Sequence, residues 1–359
     1  MRRSLLSAVL SLCVLFSPFV AAHAVQAATL SVANNGLDSD TCGSSAAPCR
    51  SISQAIAHAR EGDTLVVGPG RYGDLNGNRI LGEVGEEPAA YSGRCGLCMI
   101  HVNKRLTLQS SDGAAVTVLD AGGVEIVAVL IEADGVVFGG RGQGFTIANA
   151  GSIGVLVADA SEVTVVGNLA LHNGRNLNNG FSFGGSRHTI RDNIALGNTR
   201  AGFGISGSGH TVSDNVASDN SFGFEISFSG QFTHNVANSN GGLRFNFGSR
   251  VGGIIINPGV SGLEIRRNAV IGNGGEGIQV YSSNVTITEN NIFGNGTTAS
   301  NCGLTNGTGT VLMAPNNFWG AASGPGLDPA DAVCNDANSA TPVDPVATKP
   351  FTISVKSGL

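Results

Sequence analysis

The chain has 359 residues, 42% of them apolar and 13% charged, and its 53 glycines follow no every-third-residue period. That length supports a substantial core and excludes a peptide hormone, a staple-dependent miniature scaffold, a disordered chain and a collagen. The net charge of -6 excludes an electrostatic nucleic-acid binder, because contact with a phosphate backbone needs a positive field.

The chain opens with Arg2 and Arg3, an apolar run from Leu5 to Val20 and small residues ending in Val25-Gln26-Ala27. This order reads as an export signal over residues 1–27 with cleavage after Ala27, so a secreted, periplasmic or cell-surface-associated protein is expected. No later stretch is apolar and long enough to span a membrane as a helix. Six cysteines follow the leader, Cys42, Cys49, Cys95, Cys98, Cys302 and Cys334. An even number in an exported chain favours disulfides, and proximity favours pairing each with its neighbour in that order. Cys95-Gly96-Leu97-Cys98 would also suit a redox pair or half a zinc site, though thioredoxin-like context and a second ligand pair are both missing.

After a short strand at Thr29 to Val32, Ser51 and Gln54 have capping-box spacing, and Ile52, Ala55, Ile56 and Ala59 share one helical face. A helix from Ser51 to Arg60 is expected, covering the open end of a stack of strands. Asp74, Asn76 and Asn78 place oxygen ligands at alternate positions, as a calcium loop does, with Glu83, Glu86 and Glu87 near in sequence. Arg79 and Gly85 stand where such a loop needs glycine and glutamate. Calcium is the one metal the sequence suggests, and no organic cofactor is implied. Residues 76–99 form a long insertion.

From residue 165 onward the signal is repetition. Asn168, Asn193, Asn215, Asn235, Asn268 and Asn290 each follow a short apolar-led triplet, and each is followed five positions later by Asn173, Asn198, Asn220, Asn240, Asn273 or Asn295. Units of about 22 residues without helical period cannot bury their own apolar side chains, but stacked coils can bury them against one another. Three inward columns follow: Ile190, Val212, Phe232, Ile265 and Ile287; Ala170, Ala195, Ala217, Ala237, Val270 and Ile292; and Phe183, Ile205, Ile226, Phe245 and Val280. The paired asparagines then sit at corners, where a short amide bonds backbone groups and tolerates left-handed geometry. An asparagine-lined sugar or ice-binding face is the functional alternative. The longer interval between Asn235 and Asn268 leaves about eleven extra residues around Gly248 to Pro258, either an insertion that shapes a binding face or, through Gly252-Gly253-Ile254-Ile255-Ile256, added strand length in a coil.

The unit Ile190 to Asn198 followed by Gly202-Phe203-Gly204-Ile205, the element Asn316-Asn317-Phe318-Trp319-Gly320 with Gly324-Pro325, and the run Pro48 to Gly70 resemble the right-handed parallel beta-helix proteins of the pectate-lyase-like group. The resemblance implies an all-β fold: a single-stranded solenoid of three short parallel sheets under an N-terminal capping helix. It would fill residues 28–345, with caps at about 28–63 and 316–345 and a tail over 346–359. The same scaffold carries lyases, hydrolases, epimerases and non-enzymatic surface proteins, so reaction type does not follow.

Candidate chemistry sits on outward positions. Glu225, between inward Phe224 and Ile226, is expected beside Arg244, one coil on and between Leu243 and Phe245. This pair is the candidate catalytic site, and Gln279 continues its row. An acidic-glycan lyase needs a base and a cation of this kind, but a surface ion pair needs nothing more. Arg191, Arg266, Arg267, His188, His210 and His234 form a second outward group. Of these, Arg191, His210, His234 and Arg266, with Gln279, are the candidate carbohydrate-binding residues. Two functions remain open: binding or processing of an extracellular or cell-wall polysaccharide, and a non-catalytic structural or adhesion solenoid.

Overall fold

The computed structural model describes residues 26–175, 177–241, 251–296 and 301–354. Residues 1–25, most of the segment expected to be an export signal, lie outside the described residues, as does Arg244.

The repeat folds into stacked coils. Ile190, Val212, Phe232, Ile265 and Ile287 stand opposite one another in successive parallel strands, all buried. Ala170, Ala195, Ala217, Ala237, Val270 and Ile292 do the same in a second ladder. Small side chains there let the coil walls approach closely, while Phe181, Phe203 and Phe224 fill the wider part, stacked with centroids 4.9 Å apart. One apolar core runs the length of the stack, from Leu30 to Trp319.

Among the described residues two sheets form, of 19 and nine strands, rather than the three expected. The strands Ala201–Ser213 and Phe222–Thr233 run through a corner without a break. Each therefore pairs in both of the ladders that meet there, and two faces become one hydrogen-bonded sheet.

Corner asparagines form two continuous internal ladders. In the first, the backbone and side-chain N–H groups of Asn168, Asn193, Asn215, Asn235, Asn268 and Asn290 each donate to Oδ1 of the next, ending on Asn317. The second runs from Asn173 to Asn295 and ends on the carboxylate of Asp331. Burial pushes the Asp331 carboxyl upward from its ordinary range. The left-handed residue is not the asparagine but its predecessor: Asp192, Asp214, His234, Arg267 and Glu289 have φ between 54° and 58°. That turn points the following amide inward, where it meets the backbone of neighbouring coils.

The capping helix spans Ile52–His58. Ser51 Oγ accepts from Gln54 N at 3.1 Å, but Gln54 does not bond back. Asp38 accepts from Ser51 N instead, at 3.0 Å, and Glu87 accepts from Ile52 N and Ser53 N at 2.6 and 3.1 Å. Thus the insertion is pinned to the cap by a buried carboxylate at a helix N-terminus. Disulfides join Cys42 to Cys49, Cys95 to Cys98 and Cys302 to Cys334.

Candidate functional site

One outward row crosses the larger sheet: His101, Leu130, Leu156, Ser182, Gly204, Glu225, Ile255, Gln279 and Thr305, each beside the next. The neighbour of Glu225 is therefore Ile255 and not Arg244. The strand Gly252–Ile256 takes the ladder position that the sequence reading gave to Leu243, Arg244 and Phe245, and Ile254 and Ile256 replace Leu243 and Phe245 in the inward columns.

Facing outward does not leave the whole row open. Leu130 is fully buried with Cys98 and Val127, and Cys95, Ile153 and Leu156 pack on that cluster. The cover there is the hairpin of Ala90–Ser92 with Gly96–Val102, which Arg94 ties to Asp159 by an ion pair. At the other end Ile255 is buried with Ala201 and Phe222, with Val251 and Tyr281 packed on them. Between the two covers Leu156, Ser182, Gly204 and Glu225 are partly open, a floor of three strand spacings or roughly 14 Å.

A groove of about 450 Å³ lies over this floor, lined by both apolar and polar side chains. At its polar end Arg200 takes the place expected for Arg244. Arg200 Nη2 lies 2.9 and 2.7 Å from the two oxygens of Glu225, and Nη1 donates to Asn179 Oδ1 at 3.2 Å. Asn179 Nδ2 donates to Ser182 Oγ at 3.0 Å. Gly204 makes room for that amide, since a Cβ there would collide with it. Ser206 and Ser227 line the same groove, and Ile153 and Leu156 form its apolar end. Such a surface offers an apolar shelf beside hydroxyl, amide, guanidinium and carboxylate groups, the mixture that holds a polar ligand with C–H faces.

The other sequence candidates are distributed elsewhere. His210 and His188 are interior, not outward. Their rings stack 4.8 Å apart, each accepting from a backbone N–H at Nδ1, at 3.1 and 3.2 Å, with Nε2 at 3.0 and 2.7 Å from a backbone carbonyl oxygen. Burial pulls both imidazoles below their usual range, so they are neutral. Gln279 is buried, with Nε2 donating to Val251 O at 3.3 Å. His234 and Arg266 share a small corner hollow with Arg267, where Glu289 binds both arginines at 2.7 and 2.8 Å. Arg191 is paired with Asp192 at 2.8 Å.

The loop read as a calcium site spends its oxygens on N–H groups. Asp74 accepts from Gly77 N and Arg79 N at 2.6 and 2.8 Å. Asn76 and Asn78 Oδ1 accept from Asn78 N and Ile80 N, while both side-chain amides donate to Glu83 at 2.7 Å. Glu86 accepts from Leu75 N, and Glu87 belongs to the helix cap. Most of the loop's oxygens are thus taken up by its own N–H groups, while Glu86 Oε2 is buried without a partner among the described residues.

Residues 104–252 match a sequence-family model described as right handed beta helix region. The chain is a right-handed parallel β-helix. Solved structures with a similar course include a pectate lyase at 19% identity, covering 90% of this chain and 78% of that one with a TM-score of 0.47. An alginate lyase from Paenibacillus sp. str. FPU-7 is 16% identical over 89% and 97% with a TM-score of 0.46, and a rhamnogalacturonan lyase is 13% identical over 90% and 89% with a TM-score of 0.49. At these identities the likeness concerns the fold, and none of the printed activities passes to this chain. No curated protein sequence matches the chain. None of the described helices is long and apolar enough to cross a membrane.

Proposed function

We propose that the groove over Leu156, Ser182, Gly204 and Glu225 binds a segment of an extracellular or cell-wall polysaccharide. The observation that carries this reading is the Asn179–Arg200–Glu225 chain of hydrogen bonds laid along one side of an open, partly apolar groove. Sugar hydroxyls both donate and accept. A carboxylate next to a guanidinium offers both partners at adjacent points, and Leu156 and Ile153 offer an apolar surface to the C–H face of the ring.

Asp159 is tied to Arg94 and Glu225 to Arg200, so the lining carboxylates stand as charged pairs that offer both acceptors and donors to sugar hydroxyls, which supports binding as the reading. The test is a panel of uronate-containing and neutral polysaccharides offered to the exported protein, reading binding and unsaturated product together. The reading expects binding without product, weakened at least about fivefold in Arg200→Ala. Absence of binding across the panel would overturn it, and release of unsaturated product would replace it with a lyase.

A further inference from the structure

A second cavity, of about 240 Å³, lies against the smaller sheet and is lined by Arg71, Asp120, Gly123, Asn149, His172 and Arg175. It shares no residue with the groove. Arg71 and Asp120 belong to adjacent strands of that sheet, and His172 and Arg175 follow the strand Leu169–Leu171. Arg79 comes from the insertion. A point one bond outward from Gly123 Cα, where a Cβ would stand, lies 3.6 Å from Arg175 Cζ and 3.7 Å from Arg79 Nε. Two guanidinium groups from distant parts of the chain thus converge on one spot in a protein whose net charge is -6.

Their charges are not answered locally. Asp120 is engaged by Arg71 at 3.0 Å, by Asn149 Nδ2 at 3.1 and 3.0 Å and by Gly122 N at 2.8 Å. Asp74, also close by, is committed to the backbone amides of Gly77 and Arg79. Among the described residues, neither the Arg79 nor the Arg175 side chain has a hydrogen bond or ion pair. Held arginines of like charge repel one another, and an exposed arginine is free to swing away unless its backbone is fixed. Here it is fixed: buried Asp74 accepts from Arg79 N and holds that residue at φ 67°, a left-handed conformation that a non-glycine residue adopts at a cost.

We infer that Arg79 and Arg175 form a binding site for an oxyanion, a sulfate or phosphate group, with Arg71 and His172 at its rim. Two guanidinium forks match the oxygen geometry of such a group, and among the described residues neither is ion-paired. Free ions and sulfate or phosphate esters on a glycan share this chemistry.

The test is calorimetric titration of the full chain with sodium sulfate and with sodium phosphate, ionic strength held constant with sodium chloride. A parallel arm uses a sulfated oligosaccharide and its unsulfated parent. Saturable binding is expected, reduced at least about tenfold in Arg79→Ala and in Arg175→Ala, less in Arg175→Lys, and unchanged in Arg187→Ala, whose partner is Glu162. Selective binding of the sulfated sugar that is lost in the double variant would assign the source to an ester. Binding of the free ion alone would assign it to inorganic anion. No saturable binding in any arm, or full binding by the double variant, would overturn the inference. Glycan binding at the Arg200 groove is read independently and survives either result.

Discussion

Replacing Asn215 by alanine removes the middle rung of the first asparagine ladder. Oδ1 of Asn215 accepts from Asn193 N and Nδ2, both at 3.1 Å. Its Nδ2 donates to Ile190 O, Ser213 O and Asn235 Oδ1 at 2.8, 2.9 and 3.0 Å. After the change Asn193 Nδ2 still reaches Val165 O at 2.8 Å, but the buried Asn193 backbone N–H loses its acceptor. One orphaned buried donor costs roughly 1 to 3 kcal/mol, and the other lost bonds add about 1 kcal/mol or less each, so a loss of about 3 kcal/mol is expected. Glu225→Ala supplies the contrast. Its side chain is 24% exposed and Arg200 35%, so the pair is screened and the variant should lose under about 1 kcal/mol. Urea melts of both variants, compared at their midpoints and slopes, read the difference. Equal losses, or a larger loss in Glu225→Ala, would refute the inward placement of the ladder and the outward placement of the groove.

Three further outcomes are expected. Because burial holds the folded-state pKa values of His188 and His210 below their unfolded values, their contribution is present above about pH 6.5 and is lost as pH falls below it; His210→Asn should flatten that slope in melts run from pH 7.5 to 5. Glu87 has the opposite sign. Burial raises its carboxyl to about 7 in the folded chain, so stability is greatest below about pH 4.5 and falls by roughly 3 kcal/mol as pH rises through 7; the destabilisation caused by Glu87→Ala should accordingly shrink over that interval. Replacing Cys302 and Cys334 by serine should raise hydrogen exchange first in the strands Cys302–Asn306 and Ala332–Asn335, and equal rise across the central coils would contradict a clamp confined to the terminal coil.

Much of the architecture was legible because it is periodic. Each rung of the ladders recurs at fixed phase, so Asn215 and the column Ile190, Val212, Phe232 could be placed without coordinates. Errors arose where period gave out. Between Asn235 and Asn268 the additional residues could lie before or after the strand. Spacing leaves Gly248 to Pro258 open as an insertion or as added strand; Gly252–Ile256 is the ladder strand, and its Ile255 stands beside Glu225 where spacing expects Arg244, which lies outside the described residues. His188 and His210 were misassigned against a signal that was present: each lies two positions before an inward residue, Ile190 or Val212, and side chains two apart in a strand share a face. Arg200 carried no such signal, since it precedes the strand Ala201–Ser213 in a turn and occurs in one coil alone. The Asp74 loop has a spacing that suits a cation, and its oxygens also accept from local backbone amides, which sequence spacing alone does not reveal.

The central claim is that a glycan lies across the open floor between the two covered ends of the row. Hydrogen-exchange mass spectrometry of the protein, with an oligouronate and a neutral oligoglucan offered in parallel at saturation, tests it directly. Protection by one of them confined to Val155–Val157, Phe181–Phe183 and the groove portions of Ala201–Ser213 and Phe222–Thr233, and abolished by Arg200→Ala, is the predicted result. Protection elsewhere on the solenoid, or none in these strands with either sugar, would contradict it.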